Sequence, residues 1–256
     1  MTSTILRLRA ASKAAVTHFL FSVIVALLAA ALVFGIWYPY PYRELAGGRE
    51  LFLLVVAVDV VCGPLLTLVL FNPAKPRSEL ARDLLLVCLI QVAALGYGLH
   101  AVWVARPLYL VHEVDRFKVI AAPELDSAAL AVLPHGLQSQ LLRGPIVTSL
   151  REPVDAAERE KVMFESVQGG RDYAERPEFY VPYEGVAAAK SLKRAKPLEQ
   201  FLQKFPDQLP AAHKLSSQNN VEVQSLKFLP VMARQEWVAV LNQNGAVIGF
   251  LKGDGF

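Results

Sequence analysis

Cysteine is scarce in this chain of 256 residues, which has only Cys62 and Cys88. Both lie in long apolar runs, so residues 106–256 contain no cysteine at all. This absence excludes a disulfide scaffold or a cysteine-built zinc site from the C-terminal part of the chain. The five histidines are dispersed, with no pair three or four residues apart, so the sequence predicts no metal site.

Charge is also low. Charged residues make up 19% of the chain, and the net charge is +3. A positive charge so small and so scattered argues against nucleic acid as a partner. No glycine-rich run matches a phosphate-binding loop, and no serine lies in a nucleophile elbow. We therefore expect no cofactor and no catalytic residues.

Apolar residues are abundant: they make up 54% of the chain and are concentrated in residues 1–105. Three apolar runs lie at about 17–37, 51–71 and 84–104. A helix of about 21 residues is roughly 31 Å long, which matches the hydrocarbon core of a bilayer. The sequence therefore predicts a membrane protein in which residues 1–105 form a bundle of three transmembrane helices. Residues 106–256 are predicted to form a mixed α+β domain outside the cytoplasm.

Lysine and arginine predict the orientation of these helices, because cytoplasmic flanks are enriched in both. The N-terminus and the second loop contain Arg7, Arg9, Lys13, Lys75, Arg77 and Arg82. The first loop contains only Arg43 and Arg49. The first apolar run exceeds the roughly 7–15 residues of a signal-peptide core, so we expect it to remain uncleaved. These features predict a bacterial inner-membrane protein with a cytoplasmic N-terminus and a periplasmic C-terminal domain.

The outer part alternates between strand-like and helix-like stretches. Strands are expected at 108–120, 144–150, 226–232, 236–241 and 246–251. Asp155 with Glu158 predicts a helix start, and Pro197 predicts another. Residues 173–183, which are aromatic and interrupted by proline, are expected to form a loop. Asn244-Gly245 predicts a tight hairpin turn between the last two strands.

The second apolar run carries small and polar residues on one helical face. Asp59, Gly63 and Thr67 are spaced four residues apart. A carboxylate that faced lipid would cost on the order of 2.5 kcal/mol or more, so this face should contact other helices. Pro64 removes a backbone donor nearby and is expected to kink the helix. Two roles for Asp59 stay open: an interhelical hydrogen bond that fixes the bundle, and a contact with an incoming transmembrane partner.

The third apolar run supplies a matching surface. Gln91 places a polar group deep in the bilayer, and Ala94 with Gly98 forms a small-residue edge suited to close helix contact. A hydrogen bond between Gln91 and Asp59 would need a modest helix tilt or the kink at Pro64. The two cysteines differ in depth and are expected to be reduced packing residues.

Three charged residues stand out in the outer domain. On a single strand, Glu113 and Asp115 would point to one face and Arg116 to the other. Two adjacent carboxylates can serve in acid-base catalysis, whereas a solvated or salt-bridged strand end is the structural alternative.

Several of these features belong to a set of motifs that follow one another along the chain. They are Trp37-Tyr38-Pro39-Tyr40-Pro41-Tyr42, Gly47-Gly48, Leu51-Phe52, Val58-Asp59-Val60-Val61, Gly63-Pro64-Leu65-Leu66-Thr67, Phe71-Asn72-Pro73, Lys75-Pro76, Gln91, Gly96-Tyr97-Gly98 and Glu113-Val114-Asp115-Arg116-Phe117. In this order the motifs resemble the TfpX/TfpZ family of type IV pilin accessory proteins, over most of residues 34–120. The resemblance implies an inner-membrane, chaperone-like protein that assists assembly of its cognate type IV pilin without catalysis, with the pilin and membrane lipid as partners.

Two other functions stay open at this point. A membrane-embedded enzyme would use Asp59 or the pair Glu113 and Asp115. A receptor would bind a ligand in its periplasmic domain, but the expected cytoplasmic parts are too short to fold into an output module. The sequence does not decide whether the chain forms a homo-oligomer.

Overall fold

The structure is a computed structural model and describes residues 2–256. The chain folds as two compact units. One consists of residues 2–36 and Gly48–Val104 and is helical, and the other consists of Trp37–Gly47 and Ala105–Phe256 and contains a large sheet with helices. The predicted fold class, three long apolar helices followed by a mixed α+β domain, is confirmed.

Over residues 2–104 the structure contains four helices. They are α1 (Thr2–Leu32), which continues as a π-helical turn over Val33–Trp37, α2 (Tyr42–Leu45), α3 (Gly48–Leu70) and α4 (Arg77–Val104). Among the described residues, three helices are long and apolar enough to cross a membrane, namely Ile5–Trp37, Gly48–Leu70 and Arg77–Val104.

Helices α1 and α4 both begin well before their apolar runs. The stretches before the apolar runs contain Arg7, Arg9 and Lys13 in α1 and Arg77 and Arg82 in α4, and arginine and lysine are good helix formers, so each helix extends beyond its apolar run. Arg7 shows one consequence: its Nη2 donates a hydrogen bond of 3.1 Å to the carbonyl oxygen of Val69. A cation there pairs with a carbonyl near the C-terminus of α3, where helix carbonyls lack internal partners.

Small residues line the buried side of α1. Ala11, Ala15, Ser22 and Ala29 are buried, whereas most large side chains of this helix are exposed. Within a bilayer, exposed apolar side chains face lipid, and small residues let helix backbones approach each other closely. Helix α1 therefore packs through its small residues.

The second unit is built on one sheet of eight strands. They are β1 (Pro107–Glu113), β2 (Arg116–Ala121), β3 (Ile146–Leu150), β4 (Tyr180–Pro182), β5 (Lys196–Pro197), β6 (Lys227–Met232), β7 (Trp237–Leu241) and β8 (Val247–Lys252). The order is β4-β3-β1-β2-β6-β7-β8, with β5 also paired to β6. The β1–β3 and β2–β6 pairs are parallel, and the others are antiparallel.

One predicted strand is in fact a hairpin. The stretch 108–120 was expected to be continuous, but the chain reverses at Val114 and Asp115, and Glu113 pairs with Arg116 across β1 and β2. Val114 has a φ of 55°. A β-branched residue rarely adopts this left-handed conformation. Residues 114 and 115 include no glycine or asparagine, the residues that usually predict a tight turn, so the sequence did not indicate this hairpin.

Helices cover both faces of the sheet. They are α5 (Ser127–Ala131), α6 (Ala156–Val167), α7 (Val186–Arg194), α8 (Leu198–Lys204) and α9 (Leu209–Asn219). Along β7, Trp237, Ala239 and Leu241 join one core, whereas Val238 and Val240 join another that includes residues of α8 and α9. Because both faces of β7 are buried, its sequence is a continuous apolar run instead of an alternating one.

The segment Trp37–Gly47 belongs to the core of this second unit. Tyr42 and Leu45 are buried in a cluster with Leu110 of β1 and Leu229 of β6. The carbonyl oxygen of Leu45 accepts a hydrogen bond of 2.9 Å from the backbone N–H of Arg234. The sequence suggested only a short link here, so this packing is a finding of the structure.

One local expectation is wrong: residues 173–183 contain two 3-10 turns and β4 instead of a plain loop. Asn244-Gly245 lies in the last hairpin turn, as predicted: Asn242 pairs with Ala246, and Gly245 lies between them with a φ of 80°. This left-handed glycine after a tight turn is the usual geometry of a three-residue hairpin loop.

Candidate functional site

The three long helices leave an open groove. Helix α3 packs against both α1 and α4, whereas α1 and α4 hardly touch each other. A cavity of about 520 Å³ lies between α1 and α4, across α3. Its lining includes Thr17, His18, Phe21, Ser22, Asp59, Thr67, Leu84, Cys88, Gln91 and Leu95. All of these residues belong to the helical unit.

The polar face of α3 forms the floor of this groove. Asp59, Gly63 and Thr67 are all buried, with Asp59 8% and Thr67 2% exposed. Thr67 Oγ1 lies 2.6 Å from Nδ1 of His18 on α1, a hydrogen-bond distance. Ser22, one helical turn after His18, is also buried and lines the same cavity. The floor therefore connects polar groups of two helices.

Gln91 of α4 connects the third helix to the floor. Its Nε2 donates to the carbonyl oxygen of Asp59 at 3.2 Å and to Oδ1 of Asp59 at 3.4 Å. The position at which α4 begins explains how Gln91 and Asp59 can meet. On about 1.5 Å per residue, Asp59 lies roughly 17 Å from the end of α3 at Leu70, and Gln91 lies roughly 21 Å from the start of α4 at Arg77.

A glycine makes room for this contact. A Cβ atom added to Gly63 would overlap the side-chain amide of Gln91. The absence of a side chain at Gly63 therefore allows the amide to lie against α3. The Oε1 atom of Gln91 is buried and has no hydrogen-bond partner among the described residues. In a low-dielectric environment an unpaired polar atom is costly, so a donor that reached Oε1 would stabilise this amide.

The other expected residues of this region have different surroundings. Pro64 lies within α3, which continues to Leu70, and is half-buried. Gly98 is buried against Val55 of α3, but Ala94 is exposed and does not belong to the packed edge. Cys62 and Cys88 are free and exposed instead of packed. Cys88 lines the groove.

The contact at Gly98 yields a testable prediction. A Cβ at Gly98 would overlap the branched side chain of Val55, whereas a Cβ at Gly96 would meet nothing within 4 Å. We expect Gly98→Ala to destabilise the helical unit by about 1–3 kcal/mol, the usual cost of overpacking. Thermal unfolding in detergent measures this effect, with Gly96→Ala as the matched control. Equal melting temperatures for the two variants would contradict the close packing of α3 and α4.

The acids Glu113 and Asp115 do not lie on one continuous strand. Asp115 occupies the β1–β2 turn, where its Oδ1 lies 2.8 Å from Nε of Arg116. Both side chains are partly exposed, and such surface pairs contribute little to stability. The Arg116 guanidinium also lies 5.0 Å from the ring centroid of Phe256. Asp115 and Arg116 therefore form a partly exposed ion pair at the end of a hairpin.

Glu113 lies instead beside a buried histidine. Both Glu113 and His112 line a cleft of about 310 Å³ that also includes Ser149, Lys193 and Arg194. His112 is 5% exposed, and its Nδ1 lies 3.3 Å from Ser149 Oγ. Burial lowers the pKa of His112 to about 4, so the ring is neutral near pH 7. Burial also raises the pKa of Glu113.

Several residues that line the groove were not predicted as part of a site, among them His18, Ser22 and Cys88. The spacing of His18 and Ser22, four residues apart in an apolar helix, was an available signal for a polar face. For Cys88 the signal was its position three residues before Gln91, which places both on one helix face. Among the described residues, no group of three or more His, Cys, Asp or Glu side chains is arranged to hold a metal ion.

Comparison with known proteins places the chain in a family. Residues 6–47 match a family model described as fimbrial assembly protein FimB. The fimbrial assembly proteins of serogroups I and E1 of Dichelobacter nodosus are each 34% identical to the chain over 251 residues, which covers 96% of this chain and 96% of each relative. The protein of serogroups C1 and C2 of the same organism is 41% identical over 115 residues, or 45% of this chain and 88% of that relative. No solved structure matches the chain. With relatives this similar along nearly its whole length, the chain belongs to the family of fimbrial assembly proteins.

Proposed function

We propose that this chain is an inner-membrane accessory protein that assists assembly of its cognate type IV pilin by binding the membrane helix of that pilin without catalysis. Its relatives are named fimbrial assembly proteins, which supports the role in fimbrial assembly. The ordered motifs of residues 34–120 support the finer assignment to the TfpX/TfpZ type of accessory protein. The observation that carries the binding proposal is the groove between α1 and α4 with its polar floor.

The groove suits a helix better than a soluble ligand. Its walls include Phe21 and Leu95, which are apolar and can pack against a lipid-soluble helix surface. Its floor includes the polar side chains of Asp59, Thr67 and Gln91, which can form hydrogen bonds. In lipid, helices associate through close packing and interhelical hydrogen bonds, and this groove provides for both. A helix that filled it would touch α1 and α4, which hardly contact each other in the free chain.

The composition of the second unit supports a particular membrane topology. Trp37–Gly47 and Ala105–Phe256 fold together, so the first loop and the C-terminal domain lie on the same side of a membrane that α1, α3 and α4 cross. The basic residues near Arg7 and Lys75 then lie on the opposite side, which the distribution of positive charge assigns to the cytoplasm. The folded domain thus faces the periplasm in this proposal, where it can contact the head of the pilin.

The two native cysteines provide a direct test of the groove. Cys88 lines it, whereas Cys62 is exposed on α3 and is not among its lining residues. Cells that produce the cognate pilin would carry either Cys62→Ala, which keeps Cys88, or Cys88→Ala, which keeps Cys62. Membranes would be treated with a maleimide that carries a photoreactive group, and adducts with the pilin would be detected by immunoblotting.

We expect a pilin adduct from Cys88 and several-fold less from Cys62, because only Cys88 lies beside the proposed binding surface. Labelling with a fluorescent maleimide controls for unequal reactivity of the two thiols. Equal adduct formation at both positions, or adducts from Cys62 alone, would contradict binding in the groove. Abundant Cys88 adducts that are found only with unrelated membrane proteins would contradict the pilin as partner.

A further inference from the structure

Two adjacent leucines of the outer unit lie outside its core and are exposed. Leu141 is 58% and Leu142 is 72% exposed. They lie between Leu137 and Ile146, which are both buried in a core cluster. The segment is therefore held at both ends while its apolar tip is left uncovered. Adjacent exposed leucines on a folded domain indicate a contact with something apolar.

A tryptophan locates this tip relative to the membrane. Trp37 is the last residue of the first apolar span, which covers Ile5–Trp37. Tryptophan is enriched where a membrane helix leaves the hydrocarbon region, because its ring is apolar and its N–H needs a polar partner. Here Nε1 of Trp37 donates a hydrogen bond of 3.1 Å to the carbonyl oxygen of Leu141. The leucine tip is thus joined directly to the end of a membrane span.

From this juxtaposition we propose that residues 138–143 form a membrane-interface anchor, in which Leu141 and Leu142 insert among the lipid headgroups and upper acyl chains. Lipid fits the position, because in the proposed topology the membrane boundary lies near the end of the span at Trp37. Arg143 follows the leucines, is exposed, and can pair with lipid phosphate. An amphipathic loop of this kind would fix the height of the outer domain above the bilayer, independently of pilin binding.

The experiment measures whether lipid reaches the tip. The full chain with Cys62→Ala and Cys88→Ala would receive one new cysteine, Leu142→Cys, and an environment-sensitive fluorophore on it. The protein would be reconstituted in phosphatidylcholine and phosphatidylglycerol vesicles, with and without lipid that carries a nitroxide on an acyl carbon near the headgroup. The matched control is Val114→Cys, since Val114 is 66% exposed and follows β1, about 23 Å along that strand from Pro107.

We expect blue-shifted emission and several-fold stronger nitroxide quenching of the label at position 142 than at position 114. Equal quenching at the two positions would overturn the proposal. Blue-shifted emission at position 142 that the nitroxide does not quench would also overturn it, because a protein surface such as a second copy would then cover the leucines. Leu142 is mostly exposed, so its replacement should leave the core intact, and unchanged thermal unfolding would verify this.

Discussion

Leu45→Ala is expected to destabilise the outer unit by about 2–5 kcal/mol, the usual cost of truncating a buried leucine. Leu45 lies in a short segment between two long apolar helices, where the sequence suggests only a link. In the structure it is 0% exposed and packs in one cluster with residues of β1 and β6. Alanine would leave a cavity in the middle of that cluster, so the cost should fall on the C-terminal domain.

Limited proteolysis of the full chain in detergent can measure this effect at residues 105–256. Glu44→Ala is the matched control, since Glu44 lies in the same helical turn and is only half-buried. We expect cleavage within the C-terminal domain to accelerate strongly for Leu45→Ala and little for Glu44→Ala. Similar cleavage rates for the two variants would mean that Trp37–Gly47 is not an integral part of the domain.

The membrane part of the fold was accessible from the sequence because its signal is local. An apolar run long enough to span a bilayer is recognisable without knowledge of its neighbours. The ends of the helices were less accessible, since the chain continues as helix through basic and polar residues that the apolar run excludes. Helix α4, for example, begins at Arg77 and not at Leu84.

The errors in the outer unit arise where structure depends on distant contacts. Val114 adopts a left-handed turn that nothing in its own sequence favours, so the β1–β2 hairpin looked like one strand. Tyr42 and Leu45 are buried by strands more than sixty residues away in the sequence. Such packing reflects the assembled core, and no local period or turn signal records it.

Only part of the candidate site could be predicted from the sequence. A spacing of four residues placed Asp59, Gly63 and Thr67 on one face of α3, and the structure has all three on its buried face. The groove itself was not predictable, because it depends on how far apart α1 and α4 lie. A single helix shows which of its faces is polar, but it does not show which neighbour that face meets.

The largest functional effect is expected from Asp59→Leu. This change removes Oδ1, which accepts from Gln91 at 3.4 Å, and makes that part of the groove floor apolar. An interhelical hydrogen bond in a membrane contributes about 1–2 kcal/mol, so the loss of one between Asp59 and the pilin helix would weaken association roughly 5–30-fold. We therefore expect recovery of the cognate pilin in a pull-down from membranes to fall by about tenfold, and piliation to fall with it.

Two measurements on the same variant separate the two roles that Asp59 can have. Val58→Leu is the matched control, because Val58 is the preceding residue of α3 and is 51% exposed. If Asp59 contacts the pilin, Asp59→Leu should lose the pilin while its thermal unfolding in detergent stays close to that of Val58→Leu. If Asp59 mainly fixes the three helices, unfolding and pilin recovery should decline together. Full recovery and normal piliation would remove Asp59 from pilin binding, and the groove would then have to act through Gln91, His18 and its apolar walls alone.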